Sequence, residues 1–278
     1  MEFILRSGDL DNRGVGGMQL EAMQRGSQMH RKLQKKAGPS YRAEVPLKME
    51  FAETDYTIVL EGRADGILEQ ETAEGARETV LDEIKGVYFD ISKMTEPVMV
   101  HLAQAKCYAF IYAAQNHLET IGVRMTYANL DTEEVRYFQL HYAFEELEEW
   151  FLELMREYQK WAQFQYDWRK VRQASIKGLE FPFPYRDGQK ELVSGVYRTI
   201  LRRKILLIQA PTGTGKTITT LFPAVRAVGE ELGDKIFYLT AKTITASVAK
   251  ETFELFYEKG YRAKTVQITA KEKLCMME

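Results

Sequence analysis

Cysteine is scarce: Cys107 and Cys275 are the only two in 278 residues. Two such distant thiols make no disulfide framework, which excludes the small cross-linked secreted scaffolds and leaves a cytoplasmic setting as the default. Long apolar runs are missing as well. None approaches the length of a membrane span, and the opening Met1-Glu-Phe-Ile-Leu-Arg-Ser-Gly-Asp-Leu10 lacks signal-peptide anatomy, so no membrane partner is expected. Neither sign of charge is in excess, with 38 Lys and Arg against 40 Asp and Glu and a pI near 6.2. Any nucleic-acid site must therefore be a local basic groove and not a polycationic surface. Proline is sparse, and two of its seven occurrences fall in Phe181-Pro-Phe-Pro184, which forbids helix and marks a linker. What is present is a soluble, globular composition, 45% hydrophobic and 28% charged, on a chain long enough for two domains. Composition leaves the oligomeric state open.

The strongest local signal is Leu206-Leu-Ile-Gln-Ala-Pro-Thr-Gly-Thr-Gly-Lys-Thr217. Ile205 to Ile208 reads as a buried strand, a glycine-bearing loop follows, and Ile218 to Val228 has helical spacing. Strand, loop and helix in that order are the context of a phosphate-binding loop. Gly213 and Gly215 let the backbone curl its N–H groups toward phosphate, and the next helix adds its positive end. The pattern is Ala210-x-x-Gly213-x-Gly215-Lys216-Thr217, with Ala210 where the first glycine usually stands. Thr212 and Thr214 complete the loop; Lys216 would reach the β- and γ-phosphates of ATP, and Thr217 would ligate Mg2+.

Earlier in the chain, Met18 to Ala37 reads as a helix. Ala43 to Phe51, Tyr56 to Leu68 and Glu78 to Gly86 read as strands, with Glu69 to Arg77 as a hairpin connection. Alternation puts Glu83 and Lys85 on one face. Asp65 and Glu83 can converge from neighbouring strands, a hard-oxygen pair suited to Mg2+ or Mn2+, and Lys85 beside them could orient the attacking water. Pro97 to His117 reads as a helix with Gln104 and Tyr108 on one face. Val123 to Leu130 and Val135 to Tyr142 read as a hairpin, and Phe144 to Arg172 as a long helix. Its aromatic stripe reads as a packing surface between domains more readily than as a base-stacking one. Cys107 reads as a buried helix residue, and His101, His117 and His141 as ordinary residues.

Helix, strands, Glu83-Ile-Lys85, then Gln104-x-x-x-Tyr108 resembles the RecB-type branch of the PD-(D/E)XK nucleases over roughly residues 18 to 142. The resemblance implies an α/β fold with a mixed sheet flanked by helices. It implies His30, Asp65 and Glu83 as metal ligands, Lys85 as the assisting cation, and Gln104 and Tyr108 as a DNA-contacting or site-shaping pair. Many relatives hold an iron–sulfur cluster in this domain on four cysteines, and Cys107 alone excludes that here.

Downstream of the linker, Tyr185-Arg-Asp-Gly-Gln189 precedes an amphipathic helix to Arg203, and Gln189 resembles the adenine-reading glutamine of superfamily-two helicases. Lys235 to Thr240 reads as a strand, and Tyr238-Leu-Thr-Ala-Lys-Thr243 is similar to a strand-binding motif of XPD/DinG-type helicases. Thr265 to Cys275 resembles the approach to those enzymes' iron–sulfur cluster, with Cys275 as its first ligand. These resemblances imply the N-terminal portion of an ATP-dependent DNA helicase with a nuclease domain. The implied divisions are 1–143 nuclease, 144–180 connecting helix and 181–278 the first part of a RecA-like P-loop domain. DNA, single-stranded or with single-stranded ends, is the implied partner, and the cluster would exist only in a longer protein. A nuclease-fold domain that binds DNA without cutting it is the alternative.

Overall fold

A computed structural model describes residues 2–5, 19–71, 75, 77–211, 213–241 and 243–269. The chain forms two compact units, residues 1–162 and 163–278.

The first unit is built on a five-stranded sheet in the order β1-β2-β3-β4-β5. A short helix α1 (Glu2–Leu5) and the helix α2 (Gln19–Lys36) precede β1 (Tyr41–Ala52), β2 (Thr57–Glu71) and β3 (Arg77–Val87). A one-turn 3-10 helix (Ile91–Lys93) and α3 (Met99–Asn116) lead to β4 (Thr120–Asn129) and β5 (Val135–Ala143). Only the β3–β4 pair is parallel, because α3 carries the chain back between them. The sheet is therefore mixed, as expected, and each strand lies within a few residues of its sequence reading. The helix α3 ends at His117, which takes a left-handed φ of 53 and returns its N–H to Ala113.

The odd-numbered residues of β3 and β4, Leu81, Val123, Met125 and Tyr127, enter the main core with α3 and the start of α4 (Phe144–Lys177). Phe110 of α3 stacks on Phe151 of α4 at 4.3 Å. Cys107 is buried there, and desolvation pushes its thiol up to about 12, so it is an inert core residue.

The opposite face of the sheet hides a polar knot around Asp82, which is 2% exposed. Tyr41 Oη donates to Asp82 Oδ2 (3.0 Å), Arg124 grips both carboxylate oxygens (3.1 and 2.8 Å), and Thr126 Oγ1 donates to Oδ1 (2.5 Å). Gly66 makes room for it, since a Cβ there would sit 2.0 Å from the Tyr41 ring.

The second unit contains the end of α4, α5 (Gln189–Leu201), α6 (Lys216–Gly229) and α7 (Thr243–Glu258). Its core gathers Ile176, Leu179, Leu221, Phe222, Val225, Val228, Phe256 and Tyr261. Here two expectations are corrected. Neither 205–208 nor 235–240 is a strand, and no ladder forms among the described residues of this unit. Ile205 and Leu207 are 92% and 93% exposed. An apolar run becomes a buried strand only when neighbours take its backbone groups and cover both faces. Neither segment has such neighbours among the described residues.

Candidate functional site

The first unit brings six predicted residues together at the place where β2 and β3 part. Their ladder reaches Gly66↔Asp82, and beyond it the Asp65 side chain takes over, its Oδ2 accepting from the Ile84 N–H at 2.7 Å. Opposite, in β1, Glu44 adopts a left-handed φ of 56. Side-chain alternation in β2 slips there: Ala64 and Ile67, three residues apart, are both fully buried. That slip sets Asp65 toward α2, where His30 Nδ1 lies 3.1 Å from Asp65 Oδ1.

Glu83 is 2% exposed. Lys85 Nζ donates to Glu83 Oε1 (2.8 Å) and to Gln104 Oε1 (2.9 Å), as the shared strand face requires. Gln104 Nε2 in turn donates to Tyr108 Oη at 3.4 Å, one helical turn along α3. Gly62 admits the Tyr108 ring, because a Cβ there would meet Tyr108 Oη at 2.5 Å. Glu83 Oε2 is buried with no hydrogen-bond partner among the described residues.

Burial pushes the Glu83 carboxyl up to about 7; Lys85 opposes this and Asp65 adds to it. Desolvation pulls His30 down, but the hydrogen bond and charge of Asp65 outweigh it and its pKa is raised. The expected ligands do not form a ready-made cage. Among the described residues no group of three His, Cys, Asp or Glu side chains is arranged to hold a metal. The reason is that His30 and Asp65 are turned onto each other and Glu83 Oε1 onto Lys85.

The second unit holds the phosphate-loop residues. Gly213 (φ 81) and Gly215 (φ 73) take left-handed backbone, and α6 starts at Lys216. Lys216 Nζ reaches back to Ala210 O (2.8 Å) and Pro211 O (2.5 Å). Gln189, 7% exposed, clamps the loop: its Nε2 donates to Thr214 O (2.8 Å) and its Oε1 accepts from the Arg186 N–H (2.9 Å). Arg186 Nη1 adds a bond to Gly213 O at 3.2 Å. Gly215 allows the clamp, since a Cβ there would lie 2.9 Å from Gln189 Nε2. Thr217 Oγ1 lies 3.4 Å from Tyr238 Oη.

Arg186 and Tyr238 were not singled out for these contacts by the sequence, although both sit in stretches read as motif-like. Thr212, Lys242 and Cys275 lie outside the described residues. No helix among the described residues is long and apolar enough to cross a membrane.

Residues 182–275 match the family described as "Type III restriction enzyme, res subunit" (ResIII), a superfamily-two helicase-like domain. This part of the chain is thus similar to a helicase-like ATPase module, a class that uses ATP and Mg2+ and acts on nucleic acid. No curated protein matches. One solved structure, titled "Crystal structure of SSO0001", is similar at 19% identity and a TM-score of 0.32, covering 41% of this chain and 49% of that one. The matched region therefore spans about half of that protein's length.

Proposed function

We propose that this chain joins a metal-dependent DNA phosphodiesterase of the PD-(D/E)XK kind, residues 1–143, to the first part of an ATP-driven helicase motor, residues 181–278. The observation that carries the first half is the convergence of Asp65, Glu83, Lys85 and Gln104, with one buried carboxylate oxygen of Glu83 left without a partner among the described residues. A buried, unpaired oxygen on a carboxyl whose pKa is raised is costly in the folded chain. A divalent cation would offset that cost, and the donors suit Mg2+ or Mn2+: carboxylate oxygens from Asp65 and Glu83 with the His30 imidazole. Bound there, such an ion supplies positive charge for the scissile phosphate and a more acidic water. His30 would exchange its contact with Asp65 for the ion, freeing Asp65 Oδ1.

The remaining residues position. Lys85, fixed between Glu83 and Gln104, presents its ammonium where charge builds on a phosphate oxygen. Gln104 holds Lys85 with its carbonyl oxygen and Tyr108 with its amide, so the pair shapes the site. Asp65 stays oriented by the Ile84 N–H through either arrangement of His30.

In the motor, Lys216 would exchange two loop carbonyls for the β- and γ-phosphates, and Thr217 would meet Mg2+. Gln189 reads adenine only by giving up a bond to Thr214 or Arg186, so it doubles as the loop's latch. The run Tyr238 to Thr243 supports the XPD/DinG type within the superfamily and DNA as the strand held.

The test is cutting of end-labelled single-stranded DNA by the whole chain in Mn2+, Mg2+ or chelator, beside Asp65→Ala and Lys85→Ala. Metal-dependent cutting lost in both variants is the expected result. Binding without cutting in either metal replaces the phosphodiesterase with a DNA-holding module.

A further inference from the structure

The strand that carries Glu83 and Lys85 ends at Val87, and the next two residues are aromatic. Tyr88 and Phe89 are 48% and 47% exposed. The segment bearing them is nevertheless tied down along its length. Val87 O accepts from the Leu130 N–H (2.8 Å), and Phe89 O from Asn129 Nδ2 (3.0 Å), with Asn129 itself buried. Asp90 caps the following turn through the Ser92 N–H (3.0 Å) and Oγ (2.6 Å). Ile91 is anchored in the core, and Arg136 Nη1 donates to the carbonyls of Ile91 (3.1 Å) and Ser92 (2.6 Å). The far end is held by the Val98 N–H donating to Tyr127 Oη at 2.9 Å.

Two adjacent half-exposed rings on a loop fastened at both ends and in the middle are a pre-formed surface. Val98 and Met99, at the start of the helix that carries Gln104, are also exposed, at 39% and 60%. We propose that Tyr88 and Phe89 are a stacking platform for the bases of single-stranded DNA whose backbone enters the Glu83–Lys85 site. This rests on the phosphodiesterase reading above.

Three considerations select that occupant. Along a strand, three residues span at most about 10 Å, so the rings lie within a nucleotide or two of a phosphate at Lys85. Every base has a π-face, and aromatic side chains beside a cationic backbone groove are the general device for holding unpaired strands. In a duplex those faces are already stacked on their neighbours, so the platform discriminates against it.

The experiment uses the whole chain and a short strand carrying 5-iodouracil, photocrosslinked as single strand and as duplex, with the attachment site read by mass spectrometry. Attachment at Tyr88 or Phe89 from the single strand, absent from the duplex, is expected. Attachment confined to other positions, or equal from the duplex, overturns the platform. In parallel, Tyr88→Ala/Phe89→Ala should slow Mn2+-dependent cutting of dilute single strands about tenfold, the effect of one lost stacking contact. Its melting temperature should match the parent's. An unchanged cutting rate overturns the platform while leaving the phosphodiesterase intact. A parent chain that crosslinks at these residues yet cuts in neither metal keeps the platform and removes the phosphodiesterase.

Discussion

Replacing Glu83 by glutamine should make the first unit more stable at pH 8 while abolishing its metal response. The side chain is 2% exposed and one of its oxygens has no partner among the described residues. Its carboxyl is pushed from the ordinary 4.5 to about 7, chiefly by burial. That rise corresponds to an ionised form about 3 kcal/mol less favourable in the folded chain than in the unfolded one. The sign follows from proton counting. Between pH 4.5 and 7 the folded chain binds the extra proton, so stability is highest below this window and is lost as pH rises through it. The substituted amide would carry no charge and would still offer Lys85 an acceptor oxygen; the attraction of Lys85 for the carboxylate is already counted in the raised value. The net gain at pH 8 is therefore about 3 kcal/mol, a rise of roughly 6–12 °C in the melting temperature of this unit. At pH 4 the two proteins should melt together. His30 is also raised and contributes loss of stability with rising pH in both chains; Glu83 is one cause of that rise, so the difference between them reports the Glu83–His30 pair together. Scanning calorimetry at pH 4, 6 and 8 reads the effect, and Mn2+ should stabilise the parent at pH 8 but not Glu83→Gln. A variant less stable than its parent at pH 8, or more stable by the same margin at pH 4, refutes the argument that the buried carboxylate is the costly group.

Two other substitutions test the remaining chemistry. Lys216→Ala should abolish ATP binding, followed by titration with a fluorescent ATP analogue; unchanged affinity removes the phosphate-loop assignment. Asp82→Asn leaves the half-buried Arg124 without its counter-charge and should cost about 3 kcal/mol in urea denaturation. A loss below about 1 kcal/mol would show that the Asp82 knot is not the structural ion pair its geometry indicates.

The grouping of the six site residues, His30 among them, came from the nuclease resemblance, while the sheet was legible because alternation reports which residues share a face. Glu83 and Lys85 followed from it, and one helical turn placed Gln104 over Tyr108. Asp82 was not legible. It stands between Leu81 and Glu83 but points to the other face, and its partners Tyr41, Arg124 and Thr126 come from β1 and β4, whose register a single sequence does not disclose. The orientation of His30 was hidden for a similar reason. The resemblance assigns a histidine and an aspartate to one site, but the slip in β2 beside Glu44 decides how the two meet.

The misread segments of the second unit show where the same signal stops. In 235–240 the alternation is fully present. Ile236 and Tyr238 pack on the core, while Phe237 and Leu239 are 76% and 89% exposed. Ile205 and Leu207 likewise stand out beyond Leu206 and Ile208, at 92% and 93% against 40% and 37%. Period two thus survives without any ladder. One packed side is enough to impose it, because an extended chain against a core must turn every second residue outward. A ladder requires something more: a neighbouring backbone in register, which is a property of tertiary pairing and leaves no mark in the apolar run itself. The alternation of inner and outer side chains therefore holds in 235–240, and the further step to a buried strand is where the inference fails.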